Sequence, residues 1–360
     1  MATTRTPARF LLRDRARRFV ELATTPLVPG DFWEVLDPLR GGANPRGRIV
    51  AVRRETRDAT SIAIRPGRGW RGHTAGQYVR LGVDVDGVRQ WRSYSLTSPP
   101  RPDGVITITV KAHPDGLVST FLAHRVRAGT VVHLDQAAGD FTLPLVRPAK
   151  ALFVTAGSGI TPVMGMLRDA AGGLADVVLV HSAPRPDAVI FGAELRSLAA
   201  RGGLRLVERH TEVDGRLTPE QLADLVPDLA SRHTWACGPN DLLDALQATY
   251  DAAGHGDRLH TERFRPAVLA VGEGGTVSFT DSAVTAEADG ATSLLDTGEA
   301  NGVLMPSGCR MGICFGCVIP LREGSVRDLR NGVVTTATPG DDIRVQTCIS
   351  AAAGTCHLGI

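Results

Sequence analysis

Cys309-Arg-Met-Gly-Ile-Cys314-Phe-Gly-Cys317, followed 31 positions later by Cys348, spaces its cysteines as C-x4-C-x2-C with a distant fourth. Plant-type [2Fe–2S] clusters are held by cysteines at this spacing. Three thiolates must then converge on one small cluster from a single loop. The backbone has to turn tightly to allow it, and Gly308, Gly312 and Gly316 permit an approach that a Cβ would block. A structural zinc site and ordinary buried cysteines compete with this reading. Zinc sites favour paired C-x2-C units, whereas here one pair is spread to x4 and the last cysteine stands alone, which favours iron. Cys356, in a strand expected over 355–360, reads as a small buried hydrophobe.

Around this loop, residues 268–360 read as a compact α+β unit, with short strands over 276–279 and 283–286 and a helix over 293–300. This segment holds five Arg against ten Asp or Glu, while the whole chain carries a formal charge of +2, so the rest is basic. Upstream, an apolar strand over 151–155 and further strands over 177–181, 204–209 and 233–237 alternate with helices over 188–200, 219–225 and 241–253, the pattern of a parallel sheet flanked by helices. Before Pro148 the pattern is different. Strands over 48–52, 61–65, 77–83 and 105–111 are separated by turn residues, with Asp-Gly at 86–87 and 103–104 marking hairpins of an antiparallel β domain. At the start, a basic stretch over 9–22 suits an amphipathic helix, packed on its own protein or docked on a membrane surface or partner.

These boundaries predict an N-terminal helical extension over 1–46, a β-barrel domain over 47–147, an α/β Rossmann-like domain over 148–266 and an α+β, β-grasp domain over 267–360. A length of 360 residues is what several domains require. With 43 % apolar and 22 % charged residues the chain is neither disordered nor collagen-like. No run approaches the roughly 18 apolar residues of a membrane span. No basic stripe is interleaved with aromatics, so no nucleic-acid partner is expected. Without a signal-peptide pattern, and with cysteines grouped as ligands are, the expectation is a cytoplasmic, reducing location and a monomer.

Two further motifs carry chemistry. Arg92-Ser93-Tyr94-Ser95 ends a strand whose alternation places Arg92 and Tyr94 on one face and the two serines on the other. Downstream stand Val110-Lys111 and Gly116-Leu117-Val118-Ser119, the latter opening a helix expected over 118–126, whose first free N–H groups can hold phosphate. A flavin asks for a cation at its pyrophosphate, a flat ring against its isoalloxazine and a small hydrogen-bonding group near N5. In the next domain Gly157-Ser158-Gly159-Ile160-Thr161-Pro162 joins the first parallel strand to a helix, where glycines let a diphosphate approach. Alone, such a turn serves as readily to start a helix, because Pro162 replaces the last glycine of the dinucleotide fingerprint.

In this order, the motifs resemble the ferredoxin–NADP reductase family over roughly residues 47–265, and residues 268–360 resemble the plant-type ferredoxin fold. The resemblance implies that Arg92 binds the flavin pyrophosphate, Tyr94 stacks on the ring, Ser95 approaches N5, and Gly116 to Ser119 bind phosphate. It implies FAD in preference to FMN. Cys237, in Cys237-Gly238-Pro239, would lie beside the nicotinamide, and Glu262 near the flavin, although a plain surface carboxylate is an equal reading of Glu262. Ser182 and Arg185, after the second parallel strand, stand where a cation accepts a 2′-phosphate, which tilts the choice to NADPH over NADH; Arg185 also reads as a solvated loop residue. The cluster ligands would be Cys309, Cys314, Cys317 and Cys348. The whole resembles the reductase component of multicomponent oxygenases, and most closely those that serve membrane acyl desaturases. The implied partner is therefore a diiron or haem enzyme, with any membrane association made through that acceptor. Ring-hydroxylating, steroid and P450 oxygenases, or a role as a redox sensor, are the alternatives.

Overall fold

A computed structural model describes residues 39, 45–85, 87–114, 116–170, 173–264 and 270–360. The basic helix expected over 9–22 lies outside them. Three sheets divide the described chain.

The first sheet is antiparallel. It comprises β1 (Arg46–Arg54), β2 (Ala59–Pro66), β3 (Tyr78–Val85), β4 (Val88–Ser95), β5 (Ile106–Lys111) and β6 (Val131–Leu134), in the order β4-β3-β6-β1-β2-β5. Its two end strands meet where Leu96 bridges Ile108 and the Thr97 N–H donates to the Thr107 carbonyl at 2.8 Å, so the sheet closes into a barrel and no edge is left open there. Ile62, Ile64, Leu81, Ile108 and Leu134 fill the interior. The turn at 103–104 therefore joins the closing strands through one bridge, not through a regular hairpin ladder. The turn before Val88 is a true hairpin: Val85 pairs with Val88, and Gly87 supplies φ 81°. Helix α1 (Leu117–His124) plugs one end of the barrel with Val118 and Leu122.

The second sheet is parallel, in the order β11-β10-β7-β8-β9, with β7 (Lys150–Ala156), β8 (Asp176–Ala183), β9 (Arg205–His210), β10 (His233–Cys237) and β11 (Leu259–Glu262). Apolar side chains fill both of its faces, as the near-continuous hydrophobic strands require. Strand β11 is missing from the sequence reading because its four residues, Leu-His-Thr-Glu, carry one aliphatic side chain. The helix expected from residue 188 begins at Gly192: Phe191 takes φ 63°, a left-handed conformation that interrupts any earlier helix. Chain order reverses between β7 and β10, so a crevice opens at the carboxyl ends of those two strands, the usual ligand position in such sheets.

The third sheet is mixed. It contains β12 (Gly275–Phe279), β13 (Val284–Ala288), β14 (Val318–Asp328), β15 (Val334–Ala337), β16 (Ile343–Gln346) and β17 (Ser350–Leu358), with β12 and β17 parallel. The last strand thus starts five residues before the expected one, and Cys356 is fully buried within it. Helix α2 (Leu294–Ala300) is capped by Ser293, whose Oγ accepts the Asp296 N–H at 3.1 Å. The cysteine loop runs from this helix to β14.

A shared cleft between three sheets

Cysteine sulfurs in the loop meet as two pairs. Cys317 and Cys348 Sγ lie 3.2 Å apart, and Cys309 and Cys314 form the other pair, joined by a thiol hydrogen bond. All four are free thiols. Backbone N–H groups point at the sulfurs: Cys309 N–H donates to Cys314 Sγ at 3.1 Å, Met311 N–H to Cys309 Sγ at 3.3 Å and Gly316 N–H to Cys314 Sγ at 3.4 Å. Such donors stabilise the thiolate form. A Cβ on Gly308 would sit 2.4 Å from Cys314 Sγ, so only glycine leaves the sulfurs room. Among the described residues no three His, Cys, Asp or Glu side chains converge as ligands of a single ion. Two pairs of thiols suit a two-iron cluster better than one zinc.

The strand end Arg92 to Ser95 borders a cleft of about 1020 Å³ whose walls come from all three sheets. The barrel contributes Ser93, Tyr94, Lys111 and Gly116 to Ser119; the parallel-sheet domain contributes Ser158, Thr161 and Glu262; the third domain contributes Cys309 and Arg310 of the cysteine loop together with Cys348. Arg92, Ser93, Tyr94 and Ser95 all border it, so strand alternation does not separate them as the sequence suggested. Val110 does not: its side chain is in the barrel core and its backbone in the β2–β5 ladder.

Several atoms in this cleft await a partner. Ser93 and Ser95 Oγ are buried with no hydrogen bond, as is Glu262 Oε2. Among the described residues no carboxylate pairs with Arg92, which donates to the Trp91 carbonyl at 2.7 Å. Burial and the nearby Arg310 charge both lower its pKa, a strain that a bound anion would relieve. Arg310, with φ 58°, is itself tied to Asp296 at 3.0 Å and to Glu299. A dinucleotide flavin fits these observations: an anion for Arg92, a ring for the Tyr94 phenol, and acceptors or donors for the orphaned hydroxyls.

A second cleft, of about 1140 Å³, adjoins the first through Lys111, His113, Ser158 and Phe264. Gly157, Ser158, Gly159, Ser182, Gly238 and Pro239 line it at the switch point of the parallel sheet. A Cβ on Gly159 would stand 2.0 Å from the Cys237 carbonyl oxygen, so the turn packs directly on the end of β10. Thr161 faces the first cleft instead, and Pro162 is buried in its helix. Cys237 itself is fully buried, and burial followed by the Glu262 charge pushes its thiol well up; it is a neutral thiol behind the cleft wall. Arg185 departs from expectation. It is bound at 3.2 Å to both Asp187 and Glu212 and borders neither cleft. Arg216 and Thr211 line the second cleft in its stead, and no sequence signal beyond an arginine in a polar turn marked them.

Comparison with known proteins agrees with this division. Residues 69–143 match the family model of an oxidoreductase FAD-binding domain, 153–248 that of an oxidoreductase NAD-binding domain and 278–353 that of a 2Fe-2S iron-sulfur cluster binding domain. An NADPH oxidoreductase of Mycobacterium tuberculosis is 49 % identical over 352 residues, covering 96 % of this chain and 92 % of that protein. The ferredoxin reductase component of a 3-ketosteroid-9-alpha-monooxygenase of Mycolicibacterium smegmatis is 30 % identical, covering 82 % of this chain and 94 % of that one. Phthalate dioxygenase reductase superposes with a TM-score of 0.59 at 22 % identity, over 88 % of this chain and 97 % of its own, a likeness of fold. The chain belongs to the ferredoxin–NADP reductase family, in the branch that carries a C-terminal [2Fe–2S] domain, and is an NAD(P)H-dependent flavin and iron–sulfur oxidoreductase.

Proposed function

We propose that the chain draws hydride from NADPH at the second cleft and delivers single electrons, through FAD in the first cleft and a cluster on Cys309, Cys314, Cys317 and Cys348, to a separate oxygenase-type enzyme. One observation carries this: Arg92 to Ser95 of the barrel and the ligand cysteines Cys309 and Cys348 border the same cleft. FAD supplies the conversion of a two-electron hydride into single electrons, because nicotinamide gives two together and a cluster accepts one.

The chain's own residues bind and orient. Arg92 would neutralise the pyrophosphate, aided by the free N–H groups of Gly116 to Ser119 at the start of α1. Tyr94 would lie flat on the ring, and the Ser95 hydroxyl would bond N5. The Gly157 to Gly159 turn and Gly238-Pro239 would seat the nicotinamide nucleotide in the cleft that adjoins the flavin cleft. Cys237, buried and neutral, would shape the nicotinamide end without attacking anything. Glu262 holds its proton: burial, then the Asp140 charge, pushes its carboxyl up to about 8, so Oε2 can donate near the flavin.

For the acceptor, the relatives named as reductase components of monooxygenases support an oxygenase, and we take it to be a diiron or haem enzyme. A membrane fatty-acyl desaturase is our specific proposal, resting on the resemblance of the extension over 1–46 to that of reductases which serve such desaturases. Among the described residues no helix is long and apolar enough to cross a membrane. The test is anaerobic: flavin, iron and sulfide content of the purified protein, then stopped-flow mixing with NADPH and with NADH. Flavin bleaching followed by a cluster EPR signal, faster with NADPH, supports the reading. A protein holding zinc and a flavin, with no such signal, overturns it.

A further inference from the structure

Arg80 belongs to β3 of the barrel, yet its guanidinium reaches the cysteine loop. A Cβ on Gly308 would lie 3.3 Å from Arg80 Nη2 and 2.4 Å from Cys314 Sγ, so cation and sulfur flank one Cβ-sized space. Two contacts fix the guanidinium. Nη1 forms a 2.9 Å ion pair with Asp135, and the charge lies 5.3 Å from the ring centre of Trp91, a neighbour on β4. Nε is buried with no hydrogen-bond partner. Two residues earlier, on the same face of β3, Tyr78 borders the flavin cleft, and its phenol is pushed up by burial and then by Cys309 and Glu262. One face of β3 therefore meets the cysteine loop with a ring at the cleft and a cation at the sulfur.

A cluster held by four thiolates is anionic and gains one more negative charge on reduction. A fixed cation beside one ligand favours the reduced state and raises the potential. We propose that Arg80 is a positioning residue of the flavin barrel that docks the cysteine loop beside the flavin cleft and holds up the cluster's reduction potential, so that the electron passes readily from flavin to cluster. In that step one electron leaves the reduced flavin and enters the cluster, the pair having come from NAD(P)H; Arg80 makes and breaks no bond. This rests on the relay reading above and on Cys314 as a ligand. Asp135 sets the degree, since its carboxylate offsets part of the Arg80 charge.

The experiment uses the full-length holoprotein with an EPR-monitored redox titration of the cluster, beside a visible titration of the flavin. Arg80→Gln should shift the cluster midpoint to a lower potential, Arg80→Lys should keep most of it, and the flavin midpoint should stay. Cluster reduction after NADPH mixing should slow on the order of tenfold in Arg80→Gln, while flavin reduction keeps its rate. Asp135→Asn should move the cluster midpoint the opposite way, upward. An unchanged midpoint in Arg80→Gln with full iron content overturns the proposal. Should that variant lose its iron, Asp135→Asn decides: an upward shift supports the proposal and its absence overturns it. A wild-type cluster that NADPH never reduces would defeat the relay itself, a result distinct from equal midpoints.

Discussion

Cys237 and Glu262 stand in register at the carboxyl ends of adjacent parallel strands, β10 and β11, and Glu262 Oε2 is sealed from solvent without a partner. A carboxylate in that position has lost its water and gained no hydrogen bond. Burial, then Asp140, lifts its pKa from 4.5 to about 8. Because the folded value lies above the unfolded one, the contribution to stability is full below pH 4.5 and disappears as pH rises through about 8. Glu262→Gln, neutral at every pH, should match the wild type in Tm near pH 4 and exceed it near pH 9. Melting curves across that window check it; a constant difference at all pH values would refute a protonated Glu262.

Arg92 has no anionic partner among the described residues and sits beside a second cation, Arg310. Its value therefore lies in what it binds. Charge-assisted bonds contribute roughly 1.5–3 kcal/mol, so Arg92→Ala should weaken FAD binding by about 10- to 100-fold, while Arg92→Lys, lacking the planar fork, recovers only part. Titration of flavin-free protein with FAD, followed by fluorescence, gives the constants. An unchanged Kd in Arg92→Ala would remove Arg92 from the pyrophosphate site.

Much of this was legible in the sequence, for reasons that differ by residue. The cysteine loop was readable because ligand spacing and glycine freedom are local properties, and Gly308 shows the constraint directly. Strand β7 was readable as an apolar run, and the helix over 219–225 came out residue for residue, its Thr218 and Gln221 forming a capping box. What escaped depends on distant parts of the chain. Arg185 read either as a phosphate ligand or as a solvated loop residue, and its ion pair with Glu212, in the short helix that follows β9, could not be seen locally. Val110 read as part of a site motif, but barrel closure turns it inward. Arg80 and Arg216 gave no local signal, since each acquires its neighbours only when separate domains or loops meet.

Replacing one cysteine separates the two halves of the relay. Cys314→Ser removes a thiolate from the pair with Cys309 and leaves the flavin cleft's barrel wall untouched. Cytochrome c reduction by NADPH should fall to background, whereas reduction of ferricyanide, which can draw on the flavin, should persist. Equal survival of both activities would mean that electrons leave from the flavin and the cluster is not on the path.

Arg232 offers a test of stability away from both clefts. It is 5 % exposed and lies just before β10, where it donates to Asp176 at 2.8 and 3.0 Å and to Asp228 at 2.8 and 2.9 Å, while Lys150 holds Asp228 at 2.8 Å. The cation thus ties the amino ends of β7, β8 and β10 together, opposite the ligand-bearing ends. Arg232→Gln leaves two carboxylates facing one another. The loss for a fully buried pair is about 3–5 kcal/mol, but Asp176 and Asp228 are 42 % and 37 % exposed, so water takes up part of it and about 2 kcal/mol is expected. Arg232, then Lys150, holds the Asp228 carboxyl well below the ordinary range. A depressed folded pKa means that the stabilisation is present above the unfolded value of 3.8 and is lost as pH falls beneath it. The Tm gap between wild type and Arg232→Gln should accordingly be wide at neutral pH and narrow toward about pH 2, with NADPH turnover at permissive temperature unchanged. A gap that stays constant into acid would show that packing, not charge pairing, is what Arg232 contributes.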